Sequence, residues 1–214
     1  MPKSSPRRAV LALLAVLAAP SAFAQPATAP AAPPAPAPNP RVALTTPEGV
    51  IVIELALDKA PVTAANFLRY VDQKRFDGVT FYRANTAPGH PAYGMLQGGV
   101  DADPKRVLKP IGHEPTTQTG LSHKDGAISM GRFAPGTAAG DFFICSGDLS
   151  ESLDANPKAS PPSLGYAVFG RVVEGMEVVR KILATPVDPT AGEGVMKGTM
   201  LARRVPIVTA RRVG

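Results

Sequence analysis

The sequence predicts a mainly β domain: a closed antiparallel barrel of about eight short strands capped by two helices. Three observations predict it. Short runs rich in Val, Ile and Phe recur between Gly-, Pro- or Asp-containing turns, the signature of strands. Only two stretches carry a helical apolar period, and they sit near opposite ends of the series. Strands follow one another without the strand–helix–strand alternation that a parallel sheet requires.

Taken in order, the chain opens with Lys3, Arg7 and Arg8, then runs apolar from Ala9 to Ala19 and ends in Ala22-Phe23-Ala24 before Gln25. That is the charged, apolar and small-x-small plan of a cleavable signal peptide over 1–24. The apolar run is too short for a bilayer, which needs about 20 residues; the alternative is an uncleaved anchor or buried helix. Residues 25–40 are almost entirely Ala and Pro and predict a semi-rigid extended tether. The rest, 41–214, suits one domain with a full core.

Within that domain, Arg41–Thr46 and Val50–Leu57 flank the turn residues Thr46-Pro47-Glu48-Gly49 and predict a hairpin. Pro61 suits a helix's first turn, and Thr63, Phe67, Tyr70 and Val71 form one helical stripe. Asp77-Gly78 turns the chain into a strand from Val79 to Arg83. Residues 84–94, with Pro88-Gly89 and Pro91, predict irregular chain; Met95–Gly98 resumes an extended segment with Met95 and Gln97 on one side. After a long loop through His113 and His123, strands are predicted at Ala127–Gly131, Phe142–Cys145 and Tyr166–Val172. A second helix, Glu174–Leu183, turns Val178, Val179 and Ile182 inward, and a strand from Leu201 to Val213 closes the chain.

Composition excludes several classes of function. The net charge of +6 falls to +3 once Lys3, Arg7 and Arg8 leave with the signal peptide, and the remaining basic residues are scattered apart from Arg203-Arg204 and Arg211-Arg212. That is no footprint for nucleic acid. Cys145 is the only cysteine, so no intramolecular disulfide forms, and its setting in Phe142-Phe143-Ile144-Cys145 predicts a small core hydrophobe. His90, His113 and His123 lack ligand spacing, and His113 and His123 fall in loops, where solvated histidines are the default. No glycine-flanked serine nucleophile occurs.

Three segments carry the function: Phe81-Tyr82-Arg83 followed by Met95-Leu96-Gln97-Gly98-Gly99; Asp141-Phe142-Phe143-Ile144-Cys145; and Gly165-Tyr166-Ala167-Val168-Phe169-Gly170-Arg171-Val172. In this order and approximate spacing they resemble the cyclophilin family of peptidyl-prolyl isomerases. Ala60-Pro61-Val62-Thr63-Ala64-Ala65-Asn66-Phe67-Leu68 is similar to that family's first helix. The resemblance covers about Val42 to Val208. Its Gly-Tyr-Ala-Val-Phe-Gly version is most similar to bacterial periplasmic members, which agrees with the signal peptide.

The chemistry such a site must perform follows from the peptide bond. Rotation is opposed by about 18–20 kcal/mol because the nitrogen lone pair is delocalised into the carbonyl. Before proline both isomers are populated, but exchange takes roughly tens to hundreds of seconds. A donor aimed at the prolyl nitrogen stabilises the lone pair as it localises, and an always-charged guanidinium, here Arg83, suits that task. An acceleration of roughly 10⁴–10⁵ needs about 5.5–7 kcal/mol. One charge-assisted hydrogen bond supplies only about 1.5–3 kcal/mol. The remainder must come from a preorganised, water-poor pocket.

The resemblance implies the pocket's parts. Phe143 and Met95 form an apolar floor for the proline ring, with Leu153 at its rim. Gln97 bonds substrate backbone and steadies Arg83. Gly131 lets the peptide approach, and Tyr166 fills a position where many relatives carry histidine. Arg132 and Asp141 border the substrate, standing where the family usually has asparagine and glutamine. No cofactor or metal is implied, and the partners are proline-containing polypeptide clients met by a monomer, with no membrane contact after signal removal.

The departures from the family pattern are specific. Eleven residues, Ala84 to Gly94, separate the arginine from the methionine where five are usual. The aromatic preceding that methionine is Gly94, with Tyr93 as a stand-in. Gly140 replaces a small hydroxyl residue. Ser152 replaces the aromatic before Leu153, which implies weak sensitivity to cyclosporin. Asp141 is placed to pair with Arg83 or Arg132, and pairing with Arg83 would quench the donor. Two readings therefore compete: an isomerase, and a cyclophilin-like module that binds proline-containing chains with weak or no catalysis. A hydrolase or metal site built on the histidines is the third.

Overall fold

The computed structural model describes residues 38–214; the predicted signal peptide and nearly all of the tether lie outside them. The first hairpin forms as predicted, β1 (Arg41–Thr46) against β2 (Gly49–Leu55). The Thr46 hydroxyl holds its turn, accepting from the Glu48 N–H and donating to the Gly49 carbonyl. Helix α1 (Pro61–Asp72) buries Thr63, Phe67, Tyr70 and Val71, the predicted stripe. Its N-cap, Ala60, has no side chain that can cap, so the first N–H groups would be orphans. Glu114 supplies the acceptor from 51 residues away, at 3.1 Å to the Val62 N–H and 2.8 Å to that of Thr63. A carboxylate there also suits the positive end of the helix dipole.

Strands β3 (Val79–Ala87) and β4 (His90–Gly99) form one long hairpin. The predicted irregular stretch 84–94 is therefore strand on both sides of a turn at Pro88-Gly89. The turn signal was present, but Pro91 and Gly94 masked the pairing; Gly94, at φ +152°, sits so close to Asn85 that a Cβ would fall 2.1 Å from its carbonyl oxygen. Short helices α2 (Thr116–Thr119) and α3 (Ser150–Leu153) add to the two predicted. Between them run β5 (Ala127–Met130) and β6 (Asp141–Ser146). Then follow β7 (Val168–Glu174), α4 (Met176–Leu183), β8 (Val187–Asp188), β9 (Met200–Ile207) and β10 (Thr209–Val213). Helix α4 starts two residues later than predicted because Gly175, left-handed at φ +88°, ends the strand first.

The ten strands of the described residues belong to one antiparallel sheet, ordered β10-β1-β2-β7-β5-β6-β4-β3-β9-β8. The prediction of a closed eight-stranded barrel is right in class and off in detail. The hydrogen-bonded ladder is open, running from β10 to β8. The predicted last strand, Leu201–Val213, splits at Val208 into β9, beside β3, and β10, beside β1. The chain itself thus bridges the two ends of the curled sheet. Inside lies an aromatic core with Phe67 at its centre, its ring 4.9–5.4 Å from those of Phe76, Phe142 and Phe169.

Candidate active site

Strand alternation decides which face carries the site. On β6, Phe142 and Ile144 point into the main core, so Asp141, Phe143 and Cys145 point outward. On β5, Ile128 and Met130 face in, leaving Ser129 and then Gly131 on the outer face. On β4, Leu96 faces in while Met95 and Gln97 lie beside Cys145 and Phe143.

Strand β3 needs a correction to join them. Simple alternation would put Arg83 on the same side as Phe81, which is fully buried in the core. A bulge at Tyr82 intervenes: Phe81 pairs with Gly98, and Arg83 with the very next residue, Gln97. The extra residue re-aims Arg83 to the outer face, a familiar use of bulges beside functional sites. The bulge thereby converts a core-facing position into a site position.

Arg83 is only 8% exposed, and three of its N–H groups are assigned. Nη1 donates to Gln97 Oε1 at 3.0 Å, Nε to the Thr199 hydroxyl at 2.9 Å, and Nη2 to the Val195 carbonyl at 3.0 Å. Two of five donors are left without a protein partner among the described residues. Burial presses its pKa downward, while Tyr82 and Tyr166 oppose the shift. Thr199 and Val195, from the segment between β8 and β9, were missed by sequence reasoning; nothing in that Gly- and Thr-rich stretch signals a partner for arginine.

The predicted pairing of Asp141 with Arg83 or Arg132 does not occur. Asp141 Oδ1 accepts from the Asp101 N–H at 2.8 Å and the Tyr82 hydroxyl at 3.3 Å. Arg132 instead donates to the Phe133 and Gly165 carbonyls and lies 4.8 Å over the Tyr166 ring. The physical reason is that the partners are already taken: the Tyr82 hydroxyl and the Gln97 amide lie in series between the carboxylate and the Arg83 guanidinium, and Arg132 is held by backbone carbonyls. The donor is therefore not quenched. Gly131 keeps the surface above open, since a Cβ there would lie 3.3–3.4 Å from Asp141 and the Gln97 amide.

The floor forms as a second, smaller apolar cluster of Ala127, Phe143, Cys145 and Val168, with Met95, Leu149, Leu153 and Tyr166 packed against it. Cys145 is inert, its thiol pushed up to about 12 by burial. Phe143 is held on two sides: Tyr166 edge-on at 5.4 Å, and His123 stacked at 5.8 Å.

His123 corrects the expectation of a solvated loop residue. It is fully buried, with Nδ1 2.6 Å from Asp154 Oδ1 and Nε2 3.0 Å from the Ser129 hydroxyl. Burial lowers its pKa despite the carboxylate, so the ring is neutral, donating from Nδ1 and accepting at Nε2. The Asp154–His123–Ser129 order has the outline of a nucleophile triad, but Ser129 is fully buried and no substrate atom can reach it. The arrangement ties the rim, through Asp154 beside Leu153, to the underside of the Phe143 floor. His113 is engaged too, its Nε2 2.9 Å from the Leu164 carbonyl.

Beyond Met95 and Leu153 the floor continues into a groove of about 190 Å³, walled by Asn85, Thr86 and Tyr93 of the long hairpin and by Leu149 and Ser152. Tyr93, the predicted stand-in for the missing aromatic, does not enter the floor; it leans on Gly147 and donates to the Asp148 carbonyl. A larger cavity of about 530 Å³ lies among Asn39, Glu54, Asp58, Lys124 and Arg171. Two of its basic side chains are paired, Arg171 with Glu54 and Lys124 with Asp148, and no donor there resembles Arg83 in burial.

Sequence comparison gives the family independently of this geometry. The model of the family described as cyclophilin type peptidyl-prolyl cis-trans isomerase/CLD matches residues 41–209. This chain belongs to that family. The peptidyl-prolyl cis-trans isomerase of Acinetobacter baylyi is 37% identical over 152 residues, 69% of this chain and 74% of the relative. Peptidyl-prolyl cis-trans isomerase A of Dickeya dadantii is 41% identical over 147 residues, 66% of this chain and 70% of the relative. The B enzyme of Escherichia coli is 35% identical, covering 66% and 82%. A cyclophilin type isomerase of Cryptosporidium parvum shares the fold, with a TM-score of 0.64 at 18% identity, covering 82% of this chain and 98% of its own. Among the described residues no helix is long and apolar enough to cross a membrane.

Proposed function

We propose that this cyclophilin-type isomerase acts on exported proline-containing polypeptides in the periplasm, without covalent chemistry and without a cofactor or metal. The substrate's proline ring rests on Phe143, Met95 and Leu153, and a free N–H of Arg83 donates to the prolyl nitrogen as its lone pair localises. Gln97 holds the guanidinium in place and bonds substrate backbone. Gly131 gives that backbone room, and Arg132 and Tyr166 form the facing edge. The single observation that carries this reading is the bulge at Tyr82, which sets Arg83 on the face of the Phe143 floor. A solved structure of the Cryptosporidium parvum isomerase was obtained in the presence of the dipeptide Ala-Pro, in keeping with a proline-sized floor in this fold. Export rests on the charged, apolar and small-x-small plan of residues 1–24.

The test is isomerase activity of the whole protein on a panel of Xaa-Pro peptides, wild type against Arg83→Ala. Loss of about a hundredfold or more in kcat/KM, roughly 2.7 kcal/mol, with peptide binding retained, is the expected result. Three of five guanidinium donors are committed internally, which favours the second reading, a binding module. Peptide binding by the wild type without catalysis would establish that reading instead.

A further inference from the structure

Arg83 is the end of a longer chain of hydrogen bonds whose other end is a carboxylate. We propose that Asp141 is a positioning residue for Arg83, acting through the Tyr82 hydroxyl and the Gln97 amide. This deepens the isomerase reading and rests on it. Each link fixes the direction of the next. An ionised carboxylate only accepts, so Tyr82 donates its proton to Asp141 Oδ1 at 3.3 Å. The Tyr82 oxygen is then an acceptor, and it takes Gln97 Nε2 at 2.9 Å. With Nε2 so engaged, the carbonyl end of the amide must face Arg83, and Oε1 accepts from Nη1 at 3.0 Å. An amide turned the other way would set N–H against N–H and push the guanidinium off its line.

The middle and the guanidinium end of the chain are shielded from water, while Gln97 and Asp141 are half-buried. Tyr82 is 2% exposed, and burial holds its pKa far above the usual phenol range, so its hydroxyl keeps its proton. The titratable groups facing Asp141 and Tyr82 come from three places in the fold. Asp101, after β4, gives its N–H to Asp141 while its own carboxylate pairs with Arg204 of β9 at 2.7 Å. Arg204 lies 5.8 Å over the Tyr82 ring, and Tyr70 of α1 is close enough to feel the Asp141 charge. No cation touches Asp141 itself among the described residues; burial, reinforced by the Asp101 charge, raises its pKa above 3.8 even against its two hydrogen bonds. Once protonated, Asp141 can donate to the Tyr82 oxygen, the tyrosine proton is no longer tied to a carboxylate, and the directions of the later links are no longer fixed.

Prolyl isomerisation moves no proton between enzyme and substrate, so any pH dependence of kcat/KM reads the site alone. The experiment measures kcat/KM of wild type, Asp141→Asn, Tyr82→Phe and the double variant over about pH 4 to 8, with circular dichroism at each pH to confirm folding. Wild-type activity is expected to fall with acidification, with a midpoint above that of an ordinary aspartate, and the inflection to vanish in every variant. Tyr82→Phe is expected to lower kcat/KM at neutral pH about three- to tenfold, and the double variant no further. A wild-type profile flat with pH, an inflection persisting in the folded variants, or losses that multiply would overturn the proposal. Should Asp141→Asn fail to fold, Tyr82→Phe alone decides, because it removes the link and leaves the carboxylate. An inactive Arg83→Ala beside a pH-flat wild type would sink this inference while leaving the isomerase reading intact.

Discussion

Two aspartates flank the site, and the molecule treats them in opposite ways. Asp141, on the guanidinium side, has one oxygen holding two donors and, among the described residues, no cation in contact, and its pKa is raised. Asp154, under the floor, is also penalised by burial, yet its pKa is lowered. The Ser122 hydroxyl at 2.5 Å, the His123 ring at 2.6 Å and the His123 N–H at 3.0 Å outweigh the burial. The contrast teaches where stability and function are kept. The floor is fixed by a carboxylate whose hydrogen bonds outweigh its burial, whereas on the donor side burial outweighs them, a local cost of the sort that gathers at working sites.

Removing a satisfied carboxylate should break this contrast most visibly. Asp154→Ala leaves His123 buried with an unpartnered Nδ1–H and Ser122 without its acceptor. The expected cost is about 3 kcal/mol, from two to three buried hydrogen bonds at roughly 1–1.5 each. In a chain of this size that lowers Tm by about 6–12 °C. Asp141→Asn should do the reverse. It removes a half-buried charge while keeping an acceptor for Asp101 and Tyr82, so Tm at neutral pH is expected to hold or rise, and kcat/KM to lose its fall with acidification. Thermal melts of the two variants beside their peptide assays check the crossing. An Asp154→Ala protein as stable as wild type would show that the clamp under the floor carries no weight.

Acidification sharpens the same comparison. His123 is depressed below 6.5 in the folded protein, so the unfolded chain takes up a proton that the native state refuses. Stability is expected to decline as pH falls below about 6.5. Asp154 adds to the loss at lower pH, because its folded pKa lies below that of the unfolded carboxyl. Asp141 acts with the opposite sign: its raised pKa means that protonation favours the folded state, a contribution present at low pH and lost as pH rises through its folded value. The His123 share is isolated by melting His123→Asn over the same range. The variant is expected to start lower at neutral pH and to lose less between about pH 7 and 5.

The difference between the two sides also explains what was legible in the sequence. The floor residues Phe143, Met95, Leu153 and Tyr166 are legible through the family resemblance of the segments that carry them, since apolar type alone reads as ordinary core, and the fold brings them together. Strand alternation on β4 and β6 is likewise written in period 2. The donor side is harder to read, because a bulge leaves no compositional mark. Phe81-Tyr82-Arg83 looks like ordinary strand, and the consequence of one extra residue appears only once Gly98 and Gln97 are seen as its partners. His123 was misread for a related reason: a loop position says nothing of burial when its partner, Asp154, comes from 31 residues away. The hairpin 79–99 was obscured by its prolines and glycines, although Pro88-Gly89 marked its turn.

The smallest expected effect lies where the two sides meet, in the groove beyond Met95 and Leu153. The eleven-residue Ala84–Gly94 hairpin builds one wall, and Ser152, exposed on α3, leaves the other low. At about 190 Å³ the groove is below the roughly 300 Å³ of a drug-sized site. It suits one side chain of a bound polypeptide, that of a residue flanking the proline. Ser152→Trp places an indole across it. Catalysis on peptides with a bulky flanking residue should fall about five- to tenfold, since filling or emptying an apolar pocket by a methylene is worth about 1 kcal/mol or more. Peptides with glycine at that place should react as before, because Arg83 and the Phe143 floor are untouched. The same substitution restores the family's aromatic before Leu153, so weak cyclosporin inhibition of the wild type should strengthen in the variant. Uniform loss across the peptide panel would mean that the indole disturbs the floor itself. Nanomolar inhibition of the unaltered protein would mean that Ser152 does not set drug sensitivity at all.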